Sequence, residues 1–164
     1  MDSGDTSFFG ADHWRMTSDY SLPNNLPNVY DLSSNWERAD STASGYLGTG
    51  MTESSGIFTF PSTGIYLIRF DSNVFRLSGD FAYANLELHV TTDNSSYTIV
   101  SRKPANAFQG SGYSSMSGMV ITDVTDTSLV KVKMRVSGES SGITFQGETD
   151  ISRTGITFVR LGDT

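Results

Sequence analysis

Residues 56–70 read Gly56-Ile57-Phe58-Thr59-Phe60-Pro61-Ser62-Thr63-Gly64-Ile65-Tyr66-Leu67-Ile68-Arg69-Phe70, and the fold class turns on how this stretch is read. Two runs of β-branched and aromatic residues flank a tight break at Pro61-Ser62-Thr63-Gly64. Side chains alternate with period two along an extended chain, so Tyr66, Ile68 and Phe70 share one face. Ile65, Leu67 and Arg69 share the other. Apolar residues on both faces suit a central strand covered on both sides. Pro61 fixes φ and removes a donor, which places it in a turn and not in a ladder. Gly64 takes a positive φ at little cost. The stretch reads as strand–turn–strand, in the middle of a sheet.

The same period recurs downstream. Phe81 to Asp93 sets Leu86, Leu88 and Val90 against Asn85, Glu87 and His89, the pattern of an antiparallel strand with one face buried. Asp93-Asn94-Ser95-Ser96 has the chemistry of a turn, and Tyr97 to Ser101 returns as the second arm of a hairpin. The triplet Asn94-Ser95-Ser96 also matches a glycosylation sequon, read here as part of that turn. Arg102 to Gly112 is expected as a surface loop. Tyr113 to Asp123 is a strand with Met119 and Ile121 on one face and Val120 on the other. Leu129 to Val136 points Val130, Val132, Met134 and Val136 inward and Lys131, Lys133 and Arg135 outward. Ile143 to Phe145 extends again, and Gly155 to Leu161 closes the chain with Ile156 and Phe158 toward the core.

Upstream, Ala11 to Asp19 holds a first strand with Trp14 and Met16 inward. Tyr20 to Ser34 and Ser41 to Ser55 read as loops, and Asn35 to Asp40 as a short outer strand. Residues 1–11 are assigned to a short tail and 12–164 to a single domain. Met1 to Gly10 is polar and acidic apart from Phe8-Phe9. It reads as a partly ordered terminus, or as a short peptide that docks its two aromatics on a neighbour.

Composition narrows the function classes. A chain of 164 residues with 37% hydrophobic and 12% aromatic content is long enough to bury a core without staples. Sixteen glycines and many Ser, Thr and Asn residues suit turns between short strands. No cysteine is present, which excludes disulfides and thiolate metal sites. No apolar run has the length of a membrane-crossing helix, so membrane insertion is not expected. Eighteen acids against eleven Lys and Arg give a net charge of −7, which argues against a phosphate-backbone partner. Nucleic acid is therefore not expected as a partner. About eight to ten strands without helical periodicity indicate an all-β sandwich or barrel.

The run Phe58, Phe60, Pro61, Gly64, Tyr66, as Phe-x-Phe-Pro-x-x-Gly-x-Tyr, resembles the signature of the complement globular-head and tumour-necrosis-factor-like jelly roll. Met119 to Val136 is similar to that family's late hairpin and Gly155 to Gly162 to its last core strand; the resemblance covers Trp36 to the end. More narrowly, residues 50–68, Asp123-Val124-Thr125-Asp126 and the terminal Phe158 to Thr164 resemble virion-associated proteins of marine bacteriophages. The resemblance implies a two-sheet antiparallel jelly-roll sandwich of the trimeric head type. It further implies a homotrimer on the virion exterior. Trp36, Tyr66, Phe81 and Tyr83 are the aromatics assigned either to the trimer interface or to the core. Trp36 has two further readings, a sheet-edge residue and a carbohydrate-stacking one. The absence of cysteine departs from many complement-type heads and, with the absence of a collagen-like run, counts against a cellular adhesion module.

No catalytic constellation stands out. His13 and His89 lie on separate strands, and neither has a second imidazole at metal-site spacing. No Gly-x-Ser-x-Gly elbow, phosphate loop or dinucleotide fingerprint occurs. Glu37, Glu53, Glu87, Glu139 and Glu148 are spread over loops and outward faces with no pair singled out. No cofactor is expected. Calcium, which some members of the family bind through hard oxygen ligands, is a minor alternative, with Asp93, Asp123 and Asp126 in turns. The expected function is a non-enzymatic virion head for host attachment at a fibre or spike tip, with other virion proteins and a host-surface glycan or protein as partners. A capsid decoration protein is the alternative. A glycan-active depolymerase is a further one, which needs Glu37 or Glu148 paired with another acid beside Trp36.

Overall fold

The computed structural model describes residues 10–23, 29–41, 45–107 and 112–164. The expectations for Phe8-Phe9 and the rest of 1–9, and for the loop segments 24–28, 42–44 and 108–111, lie outside these residues. Thirteen strands form two antiparallel sheets, with no helix among the described residues.

The seven-stranded sheet runs β2 (Tyr20–Ser21), β12 (Ile143–Phe145), β7 (Gly64–Arg76), β13 (Thr154–Gly162), β1 (Ala11–Met16), β4 (Trp36–Arg38), with β10 (Gly112–Val124) on the other side of β7. The six-stranded sheet runs β5 (Thr52–Ser54), β6 (Ile57–Thr59), β11 (Lys131–Gly138), β8 (Phe81–Thr91), β9 (Thr98–Ala107), and β3 (Tyr30–Asp31) also pairs with β11. Six of the thirteen strands have only two or three residues, and this is why the sequence count of eight to ten falls short.

The break at Pro61 does more than turn the chain. β6 lies in one sheet and β7 in the other, so residues 61–63 carry the chain across the sandwich. β7 is central, paired along its whole length with β10 and on its other side with β13 and then β12. Gly64 sits at φ 141°, and a Cβ there would meet the carbonyl oxygen of Gly162. The glycine of the Pro-x-x-Gly motif is therefore required by both dihedral and space. Only one face of β7 is covered: Tyr66, Ile68 and Phe70 are buried, Ile65 and Leu67 half-buried, and Arg69 exposed.

The core is an aromatic cluster between the sheets. Phe58 meets Trp14, Trp36 and Phe158 at ring-centroid distances of 5.7, 5.2 and 5.4 Å, and Phe60 meets Tyr66 at 4.7 Å. Edge and tilted ring contacts of this kind add about 0.5–1.5 kcal/mol beyond area burial. Val132, Met134 and Val136 of β11 and Leu86 and Leu88 of β8 are fully buried, as the alternation requires.

Two sequence expectations change. Arg102 to Gly112 is not all loop, because β9 continues to Ala107 through Pro104. β9 is an edge strand that pairs with β8 alone among the described residues, so an imino nitrogen there costs no ladder bond. The loops Tyr20 to Ser34 and Ser41 to Ser55 contain β2, β3 and β5, and bury Leu22, Leu32 and Met51. β1 begins at Ala11, within the Ala11 to Asp19 stretch expected to hold the first strand, and Gly10 accepts from Arg160 N at 2.7 Å.

Candidate assembly surface

The outward face of the seven-stranded sheet is built by the odd-numbered residues of β7 and their register partners. Leu67 is opposite Ile121 on β10 and Val159 on β13, and Val159 is opposite Ala11 on β1. Ala11 bridges to Leu47. The result is one apolar row across the sheet: Ile121, Leu67, Val159, Ala11, Leu47. Ile121 is 66% exposed and Met119, two residues away on β10, 62%. Tyr113, near the start of the same strand, is exposed and stacks on Phe75 at 5.3 Å. Large apolar side chains contiguous on a sheet and open to water mark an interaction surface.

Gly118 makes this face possible. Gly118 is opposite Phe70 on β7, and a Cβ there would run into the Phe70 ring and Lys103, so glycine leaves room for that ring. β9 and β10, the free edges of the two sheets, run side by side without pairing. Ile99 and Val100 on β9 are exposed beside them.

Beyond the apolar row the same face becomes polar. His13 bridges Thr157 Oγ1 at 2.8 Å and Ser152 Oγ at 2.9 Å. Burial holds its pKa below the ordinary imidazole value, opposed by nearby Asp71. Asp71 lies 3.5 Å from Arg69, and its pKa is raised by burial. A cavity of about 260 Å3 opens beside them, bounded by Ser117, Ser152 and Arg153.

The opposite face of the sandwich carries a network of charged side chains. Glu87 and His89, expected to point to solvent, do point outward but are covered: Glu87 is 0% and His89 3% exposed. Arg102 of β9 reaches Glu87 at 2.7 Å, and His89 Nε2 lies 2.8 Å from the other carboxylate oxygen. On β11, Lys133 and Arg135 pair with Asp31 at 3.0 and 2.6 Å, and Lys133 lies over the Tyr97 ring at 4.4 Å. The long stems of these cations roof the sheet. Burial lowers the His89 pKa against the raising effect of Glu87. His89 Nδ1 has no hydrogen-bond partner among the described residues.

The four aromatics singled out in the sequence separate. Tyr66 and Phe81 lie in the core, at 3% and 0% exposure. Trp36 is half-buried on edge strand β4, where its ring is packed on Phe58 and its Nε1 donates to Leu32 O at 2.6 Å. Tyr83 alone of the four turns its ring outward. The sequence reading missed Leu67, Val159 and the outward sense of Met119 and Ile121, although the alternation on β10 was visible.

Several of the carboxylates singled out are occupied. Glu37 accepts from Arg15 and Thr149, and Glu148 pairs with Arg153 at 2.6 Å. Asp93 accepts from Thr91, Ser95 N and Ser96 N, which holds its carboxyl well below the usual range. Asn94 takes φ 57° in that turn. Ser128 caps Asp126 in the same way. No group of three or more His, Asp or Glu side chains among the described residues is placed to hold a metal ion.

No family model matches the sequence, and the sequence of no curated protein matches it. Solved structures do match. Eiger TNF from S. frugiperda superposes with a TM-score of 0.67 at 16% identity, covering 96% of this chain and 95% of that one. Murine APRIL at pH 5.0 gives a TM-score of 0.63 at 15% identity, and at pH 8.5 a TM-score of 0.59 at 16%; each comparison covers 93% of this chain and 99% of APRIL. With two antiparallel sheets, a superposition over nearly the whole chain and the Phe-x-Phe-Pro-x-x-Gly-x-Tyr stretch at the crossover, the chain has the tumour-necrosis-factor-like jelly-roll fold.

Proposed function

We propose that this chain is a non-enzymatic head that assembles as a homotrimer through the outward face of β7, β10 and β13, and serves on a phage virion for attachment to the host surface. The observation that carries it is the outward apolar row Ile121–Leu67–Val159, exposed at Ile121 and half-buried at Leu67 and Val159, with exposed Met119 beside it, on the face opposite a charged one. Cyclic assembly uses head-to-tail contacts between two different patches. The apolar row and the β9–β10 edge with Ile99 and Val100 are two such patches, at different places on one protomer. The resemblance to globular heads, which implies a homotrimer, supports the same reading, and the likeness to marine phage virion proteins supports the virion.

Fold analogy alone gives no receptor, so placement on the virion is the test. Gold-labelled antibodies to this chain, applied to intact virions, are expected at fibre or spike tips. Gold distributed over the capsid shell replaces attachment by decoration. Virions that carry no gold, from an infection in which the chain is made, overturn the virion reading.

A further inference from the structure

At the end of the sandwich where β1 begins and β13 ends, a cavity of about 390 Å3 lies between four separate segments. They are the start of β1, the loop before β5, the 61–63 crossover and the end of β13. The volume is that of a small-ligand pocket. Tyr66 and Phe158 form its floor, and Leu47 and Pro61 supply apolar wall.

The charges in the wall are matched. Asp12 is 2% exposed and accepts from Trp14 Nε1 at 2.9 Å, from Arg38 Nε at 2.9 Å and Nη2 at 3.1 Å, and from Met51 N at 2.6 Å. Its lone pairs are spent on the fold. Arg160 donates to Thr63 O at 3.0 Å and pairs with Asp163 at the mouth. A charged ligand would therefore gain no excess charge to pair with while losing its hydration. A purely apolar ligand would desolvate the Arg160–Asp163 pair and the hydroxyls of Thr49 and Ser62 without replacing their hydrogen bonds. What fits is a neutral molecule with one C–H face and several hydroxyls. Arg160 and Asp163, donor beside acceptor, suit two adjacent hydroxyls on a ring.

We propose that this cavity binds a neutral pyranose sugar, its C–H face against Leu47 and Pro61 and its hydroxyls toward Arg160, Asp163 and Ser62. This rests on the attachment reading only for its biological sense and names the ligand class that reading leaves open. It needs no threefold assembly, so a failed sugar titration leaves the solution mass as it is, and a monomeric mass leaves the cavity intact.

The test is a 15N NMR titration of the chain with the methyl pyranosides of glucose, galactose and mannose. N-acetylneuraminic acid and cyclohexanol serve as the charged and the apolar comparison. Saturable shifts at the amides of Leu47, Thr49 and Ser62 are expected with at least one neutral pyranoside. Asp163 is mostly exposed, so Asp163→Ala leaves the fold in place and is expected to weaken that binding about tenfold, the loss of one charged hydrogen bond. Thr49→Val is a second variant at the rim. The proposal is overturned by no saturable shift with any of the three sugars. Tighter binding of either comparison compound overturns it too, as do sugar-induced shifts that neither variant alters.

Discussion

On β11 every second residue turned to solvent is a cation: Lys131, Lys133, Arg135. On β10 the matching outward positions carry Ser117, Met119 and Ile121. Both strands alternate cleanly, both bury their other face in one core, and both sit in sheets of similar size. The difference is in what closes each outer face. The six-stranded sheet closes its own, because Asp31, Glu87, His89, Arg102, Lys133 and Arg135 pair across four strands and their stems cover the backbone. The seven-stranded sheet leaves methyl and thioether groups in water. One face is finished within the protomer, and the other is left open.

The largest expected effect removes what both faces stand on. Phe60 packs on Tyr66 and on Phe158, joining the crossover to β7 and β13. Phe60→Ala is expected to lower stability by about 3–5 kcal/mol in denaturant unfolding, and a loss below about 1 kcal/mol would contradict the core described here.

The comparison itself breaks on a charge placed in the apolar row. Ile121→Arg is expected to leave a folded chain whose self-association, by sedimentation velocity, is weakened at least about a hundredfold, near 3 kcal/mol. Lys133→Glu on the other face is expected to leave association unchanged. Equal effects from the two variants would erase the distinction between the faces.

Glu87 sharpens the other half. Its removal in Glu87→Ala strands buried His89 and frees Arg102, whose side chain is half in water and rehydrates. The expected cost is about 1–3 kcal/mol, below that of a fully buried pair. A neutral outcome would mean the charged roof contributes nothing.

Each face also carries one histidine with a depressed pKa, His13 on the apolar side and His89 on the charged side. Above about pH 6.5 both are neutral folded and unfolded, and contribute no pH dependence. Below it the unfolded chain takes up protons first, so stability falls as pH drops toward the folded pKa values and then levels. His89→Gln is expected to flatten that fall, measured as unfolding free energy at stepped pH; an unchanged slope would remove His89 from the account. The smallest effect is Lys133→Ala, about 1 kcal/mol in unfolding, since its largely covered side chain pairs with Asp31, which is more exposed.

Much of the architecture was legible because period-two alternation survives in β7, β8, β10, β11 and β13. Three things were not. A two-residue strand such as β3 has no period to read, and its place is set by Met134 O accepting from Leu32 N. The crossover at Pro61 looks like any turn, because a sequence does not say whether the strand beyond it pairs with the one before. Alternation gives two faces but not which is inward. For β11 the cations decide it, and for β10, with Met119 and Ile121 against Met116, Val120 and Val124, only packing does. Aromatic rings drew attention to Tyr66 and Phe81, which the core consumed, and away from the aliphatic row that it left outside. The burial of Glu87 was equally hidden, since Arg102 lies fifteen residues away on a strand read as a loop.

The assembly claim is tested most directly by the solution mass of the purified chain, by light scattering across a wide concentration range. The expected result is three times the 17.8 kDa of one chain. A single-chain mass at every concentration would contradict the account, since it would leave the row of Met119, Ile121, Leu67 and Val159 with no partner of its own kind.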